Sequence, residues 1–168
     1  MDRDDDFRAF VEGSWARLVR TALLLGSRPG DAEDLAQSAL LRAYLAWDRV
    51  SRAGNVDAYV YRILVNTRAT ALRRRSALEL PSEIPDIPTA GDPTAQVDLS
   101  DLLIHALRRL TPKHRAVLVL RYYADLSDVQ VAEVLGVPVG TVKSRLHRAQ
   151  NQLLEDRSLL EALERGAS

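Results

Sequence analysis

The chain has 168 residues, of which 46% are hydrophobic, and its 23 basic side chains balance 23 acidic ones. This length is enough for one larger domain or two small domains with buried cores. The absence of cysteine excludes disulfides, thiolate zinc sites and cysteine-based redox chemistry by this chain. No apolar run approaches the length of a membrane span, and the N-terminus is acidic where a signal peptide would be basic. We therefore expect an intracellular, cytoplasmic protein without membrane insertion.

The zero net charge hides an uneven distribution along the chain. Residues 1–50 carry 7 basic and 9 acidic side chains, and residues 51–78 carry 6 and 1. Residues 79–102 carry 6 acidic side chains and no basic one, whereas residues 103–168 carry 10 basic and 7 acidic ones. Two basic blocks on either side of an acidic connector indicate two surfaces that bind a polyanion.

The first predicted element is an amphipathic helix that ends at the glycines and proline of residues 26–30. Its apolar positions recur every three or four residues: Phe7, Phe10, Val11, Trp15, Leu18, Val19, Ala22 and Leu23. Asp31 is the expected N-cap of a second helix over residues 31–50.

This second helix is apolar on two sides. Leu35, Ala39 and Ala43 form one row, while Leu41 and Leu45 lie roughly opposite, beside polar side chains. A helix with two apolar faces is either deeply buried or binds a partner. For Leu41 and Leu45 the polar neighbours favour a partner.

A third helix is predicted after Asn55, which is its expected N-cap. Val60, Leu64, Thr67 and Ala71 form its packing stripe. A second face brings together an aromatic ring, guanidinium groups and an amide, from Tyr59, Arg62, Asn66, Thr70 and Arg73. Such a mixture suits single-stranded DNA, because rings and guanidinium planes stack on bases and arginine also binds phosphate. A solvated polar face with cations at the helix C-terminus explains the same pattern equally well.

Prolines and acids then accumulate over residues 76–97, which predicts a flexible linker. Extended, it could span roughly 60 Å, so the domains that it joins need not touch. The predicted fold is all-α, with two small helical domains, residues 1–75 and 98–168. The second is expected to have four helices, with Thr111 as the cap and Pro112 as the first residue of one of them.

The last two of these four helices are predicted to form a helix-turn-helix over residues 126–150. Ser127 and Gln130 have the spacing of a capping box, and Gly136 supplies a left-handed C-terminal residue. Pro138 immediately precedes the second of the two helices. It fixes φ but offers no side-chain oxygen, so this helix has no evident N-cap.

The face of this last helix carries hydroxyl and guanidinium groups. The buried stripe is Val142, Leu146, Ala149 and Leu153, and the polar positions are Thr141, Ser144, Arg145 and Arg148, with Lys143 on the far flank. These are groups that contact base edges and phosphates in a major groove. A solvated charged face is the alternative, and the capped helix and turn that precede this helix favour DNA binding.

The sequence offers little support for catalysis. His105, His114 and His147 lack metal-ligand spacing, and neither a phosphate-binding glycine loop nor a Ser/His/Asp grouping is evident. We expect no enzyme activity, no catalytic residue, no metal site and no cofactor.

The segment over residues 110–153, and above all GTVKSRLHRA at residues 140–149, resembles the promoter-binding domain of bacterial sigma factors. The extracytoplasmic-function group is the most similar, with actinobacterial members in particular. Residues 31–48 and 56–75 resemble the other domain that these short sigma factors retain, so the resemblance covers nearly the whole chain.

The resemblance implies binding to core RNA polymerase and to promoter DNA, and it leaves room for an anti-sigma factor. The implied contacts to the minus-35 element are Thr141, Lys143, Ser144, Arg145 and Arg148. The implied contacts to the opening minus-10 element are Ser51, Arg52, Asn55, Tyr59, Arg62, Asn66 and Arg73. The implied contacts to the clamp of the polymerase are Asp34, Gln37, Ser38 and Leu41.

The alternative hypothesis is a dimeric helix-turn-helix regulator whose N-terminal half is a sensor or dimerisation domain. Such a dimer would place two recognition helices on half-sites about 34 Å apart. A sigma factor instead requires the polymerase and contacts two different elements.

Overall fold

The structure is a computed structural model that describes residues 2–78 and 99–166. These residues form helices and no β-strand, which confirms the all-α prediction. The helices are α1 (Arg3–Leu24), α2 (Pro29–Leu45), α3 (Trp47–Val50), α4 (Val56–Ala77), α5 (Leu99–Arg109), α6 (Pro112–Leu118), α7 (Asp128–Leu135), α8 (Val139–Leu154) and α9 (Arg157–Gly166), with a π-helical turn at Val119–Tyr123. None of the helices in the two described ranges is long and apolar enough to cross a membrane.

The N-terminal half is built on α2, which packs against both α1 and α4. Its core combines aliphatic side chains with the buried aromatic ring of Trp47. The buried aliphatic residues include Leu18, Ala22, Leu35, Ala39, Leu40, Ala43, Val60 and Leu64. Two ion pairs tie α4 to its neighbours. Arg17 on α1 lies 3.4 Å from Asp57, and Arg75 near the end of α4 lies 2.9 Å from Asp31 on α2. Six of the eight residues of the predicted apolar stripe of α1 are only partly buried, and Leu18 and Ala22 are the two that are fully buried.

The predicted start and end of the second helix were both wrong. It begins at Pro29, with Arg28 at the N-cap and no side-chain cap, and Asp31 lies inside the first turn. Proline suits the first helical position because its missing N–H has no helical acceptor there. The helix also ends at Leu45, and Ala46 separates it from the short α3.

The cap predicted for the third helix, here α4, is confirmed, and so are three of the four residues of its predicted packing stripe, since Ala71 is only half-buried. The side-chain oxygen of Asn55 accepts the backbone N–H of Ala58 at 2.8 Å, and Val60, Leu64 and Thr67 are buried. The helix runs to Ala77, two residues beyond the predicted end of the N-terminal domain at residue 75. The rest of the predicted linker, residues 79–97, lies outside the described residues.

The C-terminal half contains the predicted helix-turn-helix, formed by α7 and α8. Ser127 and Gln130 make both bonds of the capping box, and Gly136 is left-handed at φ 66°. Pro138 precedes α8 without any side-chain cap, as expected. The prediction of four helices was wrong, because α9 follows the helix-turn-helix and packs on α5.

Replacing Ser127 with alanine should lower the free energy of unfolding by about 1 kcal/mol, because α7 loses the side-chain acceptor at its N-cap. The bond at stake joins the backbone N–H of Gln130 to the Ser127 hydroxyl at 3.2 Å. Chemical denaturation followed by circular dichroism measures the change. Ser158→Ala, at an exposed position of α9, is the control, and an equal loss in both variants would contradict the assigned role of the cap.

The two halves pack against each other. A second face of α4 meets α7, and the C-terminal end of α1 approaches the π-helical turn. Tyr61 on α4 is only 2% exposed, and its burial raises the pKa of its phenol. The sequence did not require this contact between the domains.

Candidate nucleic-acid interface

The polar face of α8 is accessible in the structure. Lys143, Ser144 and Arg148 are exposed, whereas Thr141 and Arg145 are half-buried. Val142, Leu146 and Ala149 on the other side of the helix are buried against the domain core. The helix is therefore anchored along one side and presents two guanidiniums, an ammonium and two hydroxyls along the rest of its surface.

The predicted DNA face of α4 is likewise on the surface. Arg62, Asn66 and Arg73 are exposed, and Tyr59 is half-buried. The guanidinium of Arg49 lies 5.9 Å from the centre of the Tyr59 ring, a cation–π distance that leaves the ring in a positively charged setting. Arg73 donates to the hydroxyl of Thr70 at 3.3 Å, which holds its guanidinium along the helix.

The loop before α4 lies beside the start of this face. Arg52 and Asn55 are exposed and Ser51 is half-buried. The oxygen of the Asn55 amide is already used to cap α4. Its amide nitrogen can donate to a base and its oxygen keeps a second lone pair, so the cap and any contact to DNA share one side chain.

A separate strip runs along α2. Asp34, Gln37, Ser38 and Leu41 are all exposed, and their spacing of three and four residues places them on one side of the helix. Leu41 is 60% exposed and Leu45 is 74% exposed. This exposure rules out the alternative that these two leucines lie in the core, and the partner stays a prediction.

The strip borders an apolar groove of about 390 Å³ between α1 and α2. The residues that line the groove are Phe7, Val11, Trp15, Gln37, Leu40, Leu41 and Tyr44. The spacing of Phe7, Val11 and Trp15 predicted only that they share the apolar side of an amphipathic helix. Helical periodicity cannot separate a fully buried side from one that lines an open groove, and the two-sided apolar pattern of α2 was the only signal for it.

Two of the three histidines lie beside amide side chains. His114 lies 3.0 Å from the amide oxygen of Gln152, and His147 lies 3.3 Å from the amide nitrogen of Asn151. Within residues 2–78 and 99–166, no group of three or more histidines and acids could hold a metal ion.

These features define a helical DNA-binding protein with a helix-turn-helix in one domain and an aromatic and basic helix face in the other. Comparison with known proteins identifies the class. The sigma-70 region 2 model matches residues 13–78, and the sigma-70 region 4 model matches residues 100–153.

Individual relatives agree with these matches. The RNA polymerase sigma-E factor of Streptomyces avermitilis is 41% identical over 152 residues, which are 90% of this chain and 84% of that protein. The extracytoplasmic-function sigma factor SigW of Bacillus subtilis is 30% identical over 141 residues, covering 73% of each. Among solved structures, the sigma factor RpoE of Bartonella quintana, in complex with the anti-sigma factor NepR, has a TM-score of 0.76 and 28% identity. That likeness covers 93% of this chain and 97% of the other.

The chain therefore belongs to the sigma-70 family of RNA polymerase sigma factors, in the extracytoplasmic-function group. It acts in promoter-specific transcription initiation, together with core RNA polymerase and promoter DNA. Sigma factors are non-catalytic initiation factors. Two different matched regions in one chain favour this class over a dimeric regulator.

Proposed function

We propose that the C-terminal domain binds the minus-35 element as duplex DNA through the exposed face of α8. The contacts come from Thr141, Lys143, Ser144, Arg145 and Arg148. The support is geometric: a helix-turn-helix inserts its second helix into the major groove, and here that helix has one buried side and one polar, basic side. Arginine is the side chain most suited to guanine, because its two N–H donors match the O6 and N7 acceptors.

The N-terminal domain binds the minus-10 element as the duplex opens. Bases that leave the stack meet the Tyr59 ring and the guanidiniums of Arg62 and Arg73, while the Asn66 amide hydrogen-bonds a base edge. Ser51, Arg52 and Asn55 in the preceding loop contact the displaced nucleotide and its phosphate. Stacking on aromatic and guanidinium planes is the usual way in which proteins hold single strands.

The strip on α2 binds the clamp of core RNA polymerase. Leu41 supplies the apolar contact at the edge of the groove, and Asp34, Gln37 and Ser38 supply hydrogen bonds around it. An exposed apolar residue surrounded by polar ones is the usual arrangement of a protein-binding hot spot.

In this proposal residues 1–75 bind the polymerase and the minus-10 element, and residues 98–168 bind the minus-35 element. Residues 76–97 serve as the connection. The chain works in the cytoplasm, where its polymerase is, and it has no enzymatic activity of its own. An anti-sigma factor is a further proposed partner, because the Bartonella quintana relative is held by one.

Transcription with purified core polymerase tests the proposal. A template library with randomised minus-35 and minus-10 positions is transcribed with and without the full chain, and the start sites are mapped by sequencing the transcripts. We expect start sites that appear only with the chain and that depend on both elements. Start sites that do not depend on the chain would overturn the proposal, and dependence on a single palindrome would favour a dimeric regulator.

A further inference from the structure

Arg115 on α6 joins the two domains directly. Its guanidinium donates to three carbonyls of its own domain, those of Leu107, Arg108 and Leu110, at 2.9, 3.2 and 3.1 Å. The remaining bond crosses to the other domain, where the carbonyl of Leu25 accepts at 3.0 Å. Leu25 is the C-cap residue of α1, and its carbonyl lies at the negative end of that helix, where a cation is stabilised.

The turn after α1 is shaped to admit this guanidinium. Gly26 has φ +109°, and a side chain there would place its Cβ only 2.6 Å from a terminal nitrogen of Arg115. The next residue, Ser27, is buried, and its hydroxyl accepts the Nε–H of Arg68 on α4 at 3.2 Å. The turn is thus held from one side by its own domain and from the other side by the C-terminal domain.

The proximity of two arginines at this junction opposes closure. The ion pairs among the described residues involve neither Arg68 nor Arg115. Burial lowers the pKa of both guanidiniums, and the charge of Arg115 lowers the pKa of Arg68 further. Repulsion between these two positive charges lowers the free energy needed to separate the two domains.

The closed arrangement cannot span a promoter. Elements centred near minus 35 and minus 10 are about 25 base pairs apart, or about 85 Å at ~3.4 Å per base pair. A folded half of this chain is only about 30 Å across, and α4 packs directly on α7 of the helix-turn-helix. The proposed DNA faces are therefore too close together to reach both elements at once.

We propose that Arg115 is an interdomain latch, whose bond to the Leu25 carbonyl holds the free chain closed and must break before the chain engages both promoter elements. The consequence for promoters rests on the proposed function, whereas the closure itself is a property of the free chain. A hydrogen bond from a charged donor is strong enough that its loss should raise the ratio of open to closed molecules about 10- to 100-fold.

Pulsed electron–electron double resonance measures the distance between two spin labels, one on each domain of the free chain, and so reports on closure. Because the chain has no cysteine, Ala16→Cys on α1 and Ser158→Cys on α9, both at exposed positions, provide the only two labelling sites. The labelled chain should show one short distance. Arg115→Gln should add a broad population at longer distances, whereas Lys113→Gln, which removes an exposed charge from the same helix, should not.

Arg115 also holds three carbonyls within its own domain, so a second variant leaves that domain untouched. Gly26→Asn strains the turn, because φ +109° lies outside the left-handed region that asparagine tolerates. Its Cβ also crowds the guanidinium away from Leu25, so the variant should open the chain as well. Folded Arg115→Gln and Gly26→Asn chains that both keep the single short distance would overturn the latch. A broad, long distribution in the chain that carries only the labels would overturn closure itself.

The consequence is measured with core polymerase and a promoter that carries both elements. If only open molecules engage them, the apparent dissociation constant should fall by the same factor by which the open fraction rises. Unchanged affinity in a variant that is demonstrably more open would overturn that consequence. The distance measurement uses neither polymerase nor DNA, so its failure leaves the proposed function intact, and a failed transcription assay leaves the distances interpretable.

Discussion

Replacing Leu41 with aspartate should weaken binding to core RNA polymerase by about 30-fold or more, the effect expected of a central interface residue. The side chain is 60% exposed and lies at the edge of the α1–α2 groove. In the free chain the new carboxylate remains in water, so folding should hardly change. In the complex it would be buried in an apolar contact without a partner, which is costly. Fluorescence anisotropy of the labelled chain, titrated with core polymerase, measures the dissociation constant.

Leu163→Asp is the matched control for this prediction. Leu163 lies on α9 and is 47% exposed, so the same chemical change occurs away from the groove. It should leave polymerase binding within about twofold of the unmodified chain, since surface substitutions usually change a free energy by only about 0.5 kcal/mol. Equal binding by both variants would rule out α2 as the polymerase-binding surface. It would not affect the proposal for the two DNA-binding faces.

The features that sequence predicted correctly are those fixed by nearby residues. The capping box of Ser127 and Gln130 lies within one turn of helix, and Gly136 needs only its own backbone freedom to end α7. The polar and buried sides of α8 follow from helical periodicity alone. The failure to predict α9 is different, because local signals for this helix are present in the sequence. Leu159, Leu160 and Leu163 are apolar residues at helical spacing, and the carboxylate of Asp156 accepts the N–H of Leu159 at 3.2 Å.

The features that sequence missed depend on elements distant in the chain. Tyr61 is buried although the predicted packing stripe of α4 did not include it, and the groups near its phenol include Thr21 on α1 and Tyr123 in the π-helical turn, both distant in the chain. Likewise, the bond from Arg115 to Leu25 joins residues 90 positions apart. Periodicity states which residues share a face but not which other element covers that face. The same limit applies to the site, where the groove beside Leu41 required the relative placement of α1 and α2.

Replacing Arg145 with alanine should weaken transcription from the cognate minus-35 element by about 5- to 150-fold, which corresponds to about 1–3 kcal/mol for a side chain that contacts a base directly. Arg145 lies on the polar side of α8, next to the buried stripe, and is half-buried. Packing around its stem therefore limits its freedom, which favours a directed contact over a diffuse attraction to phosphate. The same assay with templates mutated at each minus-35 position measures the effect.

Specificity distinguishes the two possible roles of Arg145. If its guanidinium contacts a base, Arg145→Ala should lose the preference at one or two positions of the upstream element and keep the preference in the minus-10 element. A phosphate contact would instead weaken all templates alike and reduce the dependence on salt concentration. Arg165→Ala removes an exposed guanidinium from α9 and should alter neither pattern. Because α8 is held by Val142, Leu146 and Ala149 rather than by Arg145, the variant should keep its fold, and a changed preference would then report on DNA contact alone.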